Sequence, residues 1–141
     1  MRRLLLAVLV LAIAACDRSV APLTLAPTDA AVAGSYGLTL VNGRALPFVA
    51  FNTNTDQWNL TSDRIVMSSD GAWAETTNYD VISLSTSAVS QQHTQTSGTY
   101  VVGTSVITFT RVAGGALTFT GSVTGNILSL LFNGGQFTYS R

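Results

Sequence analysis

The 141-residue chain contains no lysine, one histidine (His93) and one cysteine (Cys16). One histidine and one cysteine do not supply the usual ligand set of a zinc site, and no HExxH or paired-histidine motif occurs. The DxDxD pattern of a calcium loop is missing too. No basic cluster is present, which argues against a nucleic-acid partner. We therefore predict no metal, no cofactor and no nucleic acid.

Catalytic motifs are also scarce. A Ser-His-Asp arrangement around His93 is formally possible because serines and aspartates are plentiful, but no GxSxG motif is present. Asp56, Asp63, Asp70 and Asp80 lie at or near predicted strand ends, where aspartate commonly serves turns. We therefore predict that the protein is not an enzyme, and a hydrolase is the least favoured alternative.

The N-terminal segment has the layout of a secretory signal. Two arginines precede an apolar run over residues 4–15, followed by Cys16. This run of twelve residues is too short for a membrane-spanning helix, which needs about 20 apolar residues. We therefore predict a signal peptide over residues 1–15.

The residues around Cys16 refine this prediction. The sequence Ile13-Ala14-Ala15-Cys16 resembles the lipobox of bacterial lipoproteins. The resemblance implies a lipid on Cys16 that anchors the protein to a membrane of the bacterial cell envelope, facing the periplasm or the outside. The alternative is a signal cut without lipidation, which would leave Cys16 as a free thiol in an oxidising compartment. Residues 16–32, with two prolines and no periodicity, are predicted to be a lipidated cysteine and flexible tether.

Residues 33–141 are predicted to be a single β-domain, since they show period-2 alternation and no helical period. We expect this domain to be a monomer. Without residues 1–15 the chain keeps five arginines against seven acidic residues, a net charge of −2. Glycine-containing connections of two to four residues separate short apolar runs, as in tight hairpins. The predicted strands cover residues 36–40, 45–51, 58–60 with 64–68, 73–81, 99–102, 105–112, 116–123, 127–132 and 136–140.

These strands predict an all-β, antiparallel up-and-down meander of eight or nine strands that closes into a small barrel. Asn42-Gly43 is the strongest hairpin signal, Pro47 indicates an edge strand or a bulge, and residues 83–95 are not assigned. The predicted outer face carries threonine and serine, with Leu131 as an outward apolar residue. The predicted interior residues are Tyr36, Leu38, Trp73, Ile107, Phe109, Leu117, Phe119, Leu128, Leu130, Phe137 and Tyr139.

Four segments carry a family resemblance: SYGLTLVNGRALPF, SSDGAWAETTNY, SGTYVVGTSVITFT and TFTGSVTGNILSLLF. They resemble the repeating hairpins of bacterial lipocalin-like lipoproteins over residues 34–140. The resemblance implies a lipocalin-like barrel, and it concerns turns and core positions. The chain is short for that group, and no terminal helix that would plug the barrel is predicted.

One constellation suggests a binding site. Strand alternation places Glu75 on one inward face with Trp73 and Tyr79, and Arg111 on an inward face of another strand. An inward carboxylate and arginine can anchor the polar end of a small apolar ligand, such as a fatty acid or lipid fragment. Alternatively, Glu75 is solvated near the barrel mouth or pairs with Arg64 or Arg111 for structural reasons. A filled core with a structural or protein-interaction role in the envelope remains the alternative function.

Overall fold

The computed structural model describes residues 29–112 and 117–141. These residues form one helical turn and ten strands, in an all-β architecture. The elements are α1 (Asp29–Val32), β1 (Gly34–Val41), β2 (Arg44–Ala45), β3 (Phe48–Asn52), β4 (Asp56–Met67), β5 (Ala72–Ser83), β6 (Val89–Val102), β7 (Ile107–Arg111), β8 (Leu117–Thr124), β9 (Ile127–Phe132) and β10 (Gly135–Ser140).

Eight of these strands close into an antiparallel barrel. Strands β4 to β10 pair in sequence order, β10 pairs with β1, and β1 pairs back onto β4. The two short strands β2 and β3 lie outside this ring, β2 on the edge of β1 and β3 on the edge of β4. The predicted up-and-down barrel is confirmed, and Pro47 lies next to edge strand β3, as expected.

Tight turns connect the two strands of these hairpins because the sequence supplies residues that tolerate positive φ. Asn42 and Gly43 have φ values of 51° and 76°, and Asn133 and Gly134 have values of 48° and 75°. Positive φ at both central residues defines the type I′ turn, whose twist matches that of the flanking strands. The hairpin predicted at Asn42-Gly43 is therefore confirmed.

Two strand assignments needed correction. The segments 58–60 and 64–68, predicted as an interrupted strand, belong to the continuous strand β4, whose register shifts between Leu60 and Ser62. The unassigned stretch 83–95 contains the first half of β6, which begins at Val89 and pairs with β5 over its whole length. Strands β4, β5 and β6 therefore extend well beyond β7, which pairs only with the last five residues of β6.

Helix α1 closes one end of the barrel. Val32 is 2% exposed, and the buried Tyr36 hydroxyl donates to its carbonyl oxygen at 2.7 Å. The Tyr100 hydroxyl lies 2.6 Å from the Ser68 carbonyl oxygen and 3.2 Å from that of Asp29. Asp29–Val32, which the sequence analysis assigned to the tether and where it predicted no helix, thus form a helical turn packed against the barrel.

The half of the barrel next to α1 is solidly packed. Tyr36, Ile65, Phe109 and Leu128 are completely buried there. Of the predicted interior residues, Phe119, Phe137 and Leu117 are half-buried and the others are buried, which confirms the alternation in these strands. The outer face is exposed at Thr108, Thr118, Thr120 and Ser122, and Leu131 is 59% exposed.

Several predictions lie outside the described residues. These are the signal peptide over residues 1–15, the lipid site at Cys16, most of the tether, and the connection 113–115 between β7 and β8. Within residues 29–112 and 117–141, no helix has the length and apolar character needed to cross a membrane.

Candidate functional site in the open half of the barrel

The half of the barrel opposite α1 contains a cavity of about 320 Å³. Strands β1 and β4 pair only at residues 34–37 and 64–67, next to α1. Beyond this point they separate, and β2 and β3 occupy their edges. The cavity is lined by Val41, Phe48, Ala50, Leu60, Asp63, Trp73, Glu75, Thr77, Tyr79, Thr94, Thr96, Arg111, Leu117, Phe119, Leu130, Phe132, Phe137 and Tyr139.

Aromatic side chains form much of the cavity wall. The Phe119 ring lies edge-on to Trp73 with centroids 5.6 Å apart, and it stacks on Phe109 at 5.0 Å. Phe132 continues the wall at 5.5 Å from Phe119. The indole nitrogen of Trp73 donates to the Thr99 carbonyl oxygen at 3.0 Å, which fixes the orientation of the ring. The rings therefore form a continuous apolar wall.

Glycine makes room for this wall at two inward positions. A Cβ atom on Gly98 would lie 1.9 Å from the Thr110 carbonyl oxygen and 2.8 Å from the Trp73 indole nitrogen. A Cβ atom on Gly121 would lie 2.4 Å from a methyl carbon of Leu130. Because neither space is available, only glycine lets Trp73 and Leu130 pack where they do.

Two carboxyl groups project into this apolar space from neighbouring strands. Asp63 lies opposite Thr77 in the β4–β5 register, and Glu75 lies opposite Ile65 on the same face. Asp63 is 8% exposed, and its Oδ2 accepts a hydrogen bond of 2.9 Å from the Thr77 hydroxyl. The Glu75 carboxyl lies within hydrogen-bonding reach of the Asp63 carboxyl and near the Tyr139 hydroxyl.

Burial and mutual repulsion change the protonation of this pair. Burial, together with the negative charge of Glu75, raises the pKa of Asp63 to about 8, against the opposing hydrogen bond from Thr77. Burial also raises the pKa of Glu75, while its hydrogen bond to Asp63 and the positive charge of Arg111 act in the other direction. At neutral pH the two carboxyl groups therefore hold one proton between them and carry a single negative charge.

The neighbouring tyrosines respond to the same environment. Burial, then the charges of Asp63 and Glu75, raise the pKa of Tyr79 and that of Tyr139. Both hydroxyl groups are therefore neutral at physiological pH. They provide hydrogen-bonding groups at the cavity wall without adding charge.

Two buried polar atoms at the cavity have no hydrogen-bond partner among the described residues. They are Oδ1 of Asp63 and Nε of Arg111. Buried polar groups are almost always paired, and an unpaired one costs about 1–3 kcal/mol. Since both residues line the cavity, a bound molecule with a suitable polar group can satisfy them.

The structure brings together all four residues of the predicted constellation. Trp73, Glu75, Tyr79 and Arg111 line the same cavity. The alternative partner Arg64 lies on the outer face, where its Nε donates to the Ser35 hydroxyl at 2.6 Å. Glu75 interacts with the charge of Arg111 and also with the carboxyl group of Asp63, which the sequence analysis did not predict.

The placement of Asp63 and Asp80 at strand ends was wrong, whereas Asp70 does serve a turn. The Asp70 Oδ1 accepts a hydrogen bond from the Ala72 amide at 3.1 Å. Asp63 lies within β4 and faces the interior because the register shift after Leu60 reverses the alternation. His93 is exposed on β6 opposite Asn78 and is not among the residues that line the cavity.

In the described part of the chain, no three side chains of histidine, cysteine, aspartate or glutamate converge as metal ligands would. Comparison of the whole chain with protein-family models and with curated proteins gives no match. The small antiparallel barrel is consistent with a lipocalin-like fold.

Proposed function

We propose that the protein binds one small molecule, with an apolar body and a polar end, in the open half of its barrel. The observation that carries this proposal is the pair of unpartnered polar atoms, Asp63 Oδ1 and Arg111 Nε, at an aromatic cavity. A barrel interior selected only for stability would fill this space with apolar side chains, as the half next to α1 does.

The size of the cavity limits the ligand. A volume of about 320 Å³ is near the lower end of the range of about 300–1,000 Å³ for small-molecule sites. It corresponds to roughly ten water molecules at about 30 Å³ each. A short acyl chain or lipid fragment fits this space, whereas a long-chain fatty acid would have to extend through the mouth.

An aromatic surface beyond the mouth can receive such an extension. Phe51 and Trp58 stack with centroids 5.1 Å apart, and Trp58 contacts Tyr79 at 5.6 Å. Phe51 is 48% exposed although it is a large apolar residue. Because Tyr79 also lines the cavity, this surface continues the cavity wall toward solvent.

The expected location follows from the sequence. A lipid on Cys16 would hold the protein on a membrane of the bacterial cell envelope. The described part of the chain begins with α1, so Asp29 and the cavity mouth lie at opposite ends of the barrel. This arrangement supports a role in binding a ligand from the aqueous side of that membrane.

A structural or protein-interaction role is the second candidate. Leu131, Val101 and Val112 are 59%, 69% and 72% exposed. Exposed apolar side chains of this size are suited to contacts with another protein. This role requires no ligand. It therefore predicts that the affinity of the cavity for small molecules does not depend on their chain length.

Tryptophan fluorescence tests the proposal. The chain has two tryptophans, and Trp58→Phe leaves Trp73 as the reporter in the cavity. Residues 17–141, which retain every described contact, would be titrated with straight-chain alcohols from butanol to octanol. We expect saturable changes whose affinity rises about fourfold per added CH₂, from about 0.8 kcal/mol each, until the cavity is full. A response without saturation, or without dependence on length, would contradict the proposal.

A further inference from the structure

We propose that the polar end of the ligand is an ammonium group, bound by the Asp63 and Glu75 carboxylates against the aromatic wall. This inference rests on the proposed function, because it assigns the chemical class of the ligand in the same cavity. Three observations support it. Oδ1 of Asp63 is an acceptor without a partner, the Glu75 carboxyl lies beside the Asp63 carboxyl, and aromatic rings line the same cavity.

The hydrogen-bonding capacity of the carboxyl pair matches an ammonium group, although such a group has no acceptor for the unpartnered Nε of Arg111. Once the shared proton has left, Oδ1 of Asp63, on a side chain that is 8% exposed, has no donor among the described groups. The Glu75 carboxyl interacts with the Asp63 carboxyl and with the Tyr139 hydroxyl. A primary ammonium has three donors and no acceptor, so these three oxygen groups can each accept one of its hydrogens.

The surrounding rings favour the same ligand. Trp73, Tyr79 and Phe119 line the cavity together with the two carboxyl groups. A cation within about 6 Å of an aromatic face is attracted by the ring, most strongly when it is shielded from water. The apolar remainder of an alkylamine would meanwhile contact Leu60, Leu130 and the phenylalanines.

Charge balance distinguishes an amine from a carboxylate. The charged or titratable groups that line the cavity are Asp63 on β4, Glu75 and Tyr79 on β5, Arg111 on β7 and Tyr139 on β10. With one proton on the carboxyl pair, its single negative charge balances Arg111. A bound carboxylate would place a third acidic group beside the pair, at a cost from like-charge repulsion.

An ammonium ion keeps the balance by replacing a proton. It enters with its own positive charge, the shared proton leaves to solvent, and both carboxylates become ionised. The net charge of the cavity groups and ligand is then again zero. Because burial raises the pKa of Asp63 to about 8, nearly one proton is released for each amine that binds well below that pH.

The test compares hexylamine, 1-hexanol and hexanoate by calorimetric titration of residues 17–141 at pH 6, 7 and 8. We expect hexylamine to bind at least tenfold more tightly than the other two at pH 8. Its affinity should rise about ninefold from pH 6 to 7 and about fivefold from pH 7 to 8, with release of nearly one proton at pH 6 and about half a proton at pH 8, while that of hexanol stays constant. Equal affinities, or tightest binding of hexanoate, would overturn the inference.

Two variants and a control identify the groups. Asp63→Asn and Glu75→Gln should each weaken hexylamine binding by about 10- to 100-fold at pH 8, as loss of a charged hydrogen bond does. Both should also remove most of the pH dependence of hexylamine binding. The control Asp80→Asn changes a carboxyl group on the outer face of β5, and it should alter neither the affinity for hexylamine nor its pH dependence. A loss of affinity in this control equal to that in the two variants would contradict the assignment.

The two proposals fail in different ways. If 1-hexanol binds saturably and hexylamine binds no better, only the ammonium assignment is overturned. If none of the three compounds binds to the folded domain, the proposed function itself is overturned. Thermal unfolding of each variant, measured before titration, establishes that the barrel is intact.

Discussion

The carboxyl groups of Asp63 and Glu75, on the adjacent strands β4 and β5, lie within hydrogen-bonding reach of each other inside the barrel. Burial favours the neutral form of each, and they hold a shared proton at neutral pH. A buried acidic pair of this kind is costly to maintain. Its position in an aromatic cavity, rather than in the packed half of the barrel, is the basis of the functional proposal.

The first prediction concerns the stability of the domain as a function of pH. Because the pKa of Asp63 in the folded protein, about 8, lies above its ordinary value of 3.8, the folded state binds this proton more tightly than the unfolded chain. The contribution of Asp63 is therefore fully present below about pH 4 and is lost as the pH rises toward 8. This loss decreases the free energy of unfolding by at most about 1.4 kcal/mol per pH unit.

Urea unfolding at pH 5, 6.5 and 8 measures this effect. Asp63→Asn should flatten the decrease and make the domain more stable than the wild type at pH 8. The matched variant Asp80→Asn, on the outer face, should keep the wild-type slope. Identical slopes for all three proteins would show that Asp63 is not buried with a raised pKa.

The second prediction tests the register of the strands. Phe109 is completely buried, so Phe109→Ala should cost about 3–5 kcal/mol of unfolding free energy. Phe119→Ala should cost less, because Phe119 is half-buried and borders the cavity. The exposed Thr118→Ala and Thr120→Ala variants should stay within about 0.5 kcal/mol. Larger losses at the threonines would place β8 one residue out of register.

The third prediction concerns the close approach of strands at Gly98. A Cβ atom there would lie 1.9 Å from the Thr110 carbonyl oxygen, whereas one on Gly37 would have its nearest neighbour at 4.0 Å. Gly98→Ala should therefore destabilise the domain by about 1–3 kcal/mol and shift the emission of Trp73. Gly37→Ala is the control and should be nearly neutral. Equal effects at both positions would contradict the packing described around Trp73.

The fourth prediction concerns the attachment of α1. Tyr100→Phe removes the hydroxyl that lies 2.6 Å from the Ser68 carbonyl oxygen and 3.2 Å from that of Asp29. It should cost about 1–3 kcal/mol. Hydrogen exchange of the Ala33 amide, which bonds to the Asp29 carbonyl oxygen at 2.9 Å, should become faster. Unchanged exchange would mean that Tyr100 does not hold α1 against the barrel.

The fifth prediction concerns the lipid anchor. In cells, Cys16→Ser should abolish metabolic labelling with fatty acid and release the protein from the membrane fraction. The resemblance of residues 13–16 to a lipobox motivates this experiment. Labelling that persists in the variant would contradict lipidation at Cys16.

Much of the barrel could be predicted because its strands follow simple rules. Alternation identified the inward faces of β5 and β7, and Asn-Gly turns identified two hairpins. The sequence analysis did not predict that Asp63 faces the interior, because the register shift after Leu60 reverses the inward–outward alternation of β4. Counted without that shift, residues 62, 64 and 66 would face inward and Asp63 would face solvent. A register shift depends on pairing with a neighbouring strand, which a single sequence does not display.

The sequence analysis did not assign the first half of β6 to a strand, for a different reason. Its residues Val89–Gln95 are all exposed, so polar side chains occupy both faces and no alternation results. Pairing with β5 holds this segment in place. Likewise, α1 is only four residues long and shows no helical period. Its position depends on the hydroxyl groups of Tyr36 and Tyr100.

Methyl resonances on a single strand test the central claim most directly. On β9, Leu130 lines the cavity, Leu128 lies in the packed half and Leu131 points to solvent. Titration of residues 17–141 with 1-hexanol, followed by methyl NMR, should produce saturable shifts at Leu130 that exceed those at Leu128 and Leu131. Saturable shifts confined to Leu131, or no saturable shift at all, would show that the open half of the barrel is not a binding site.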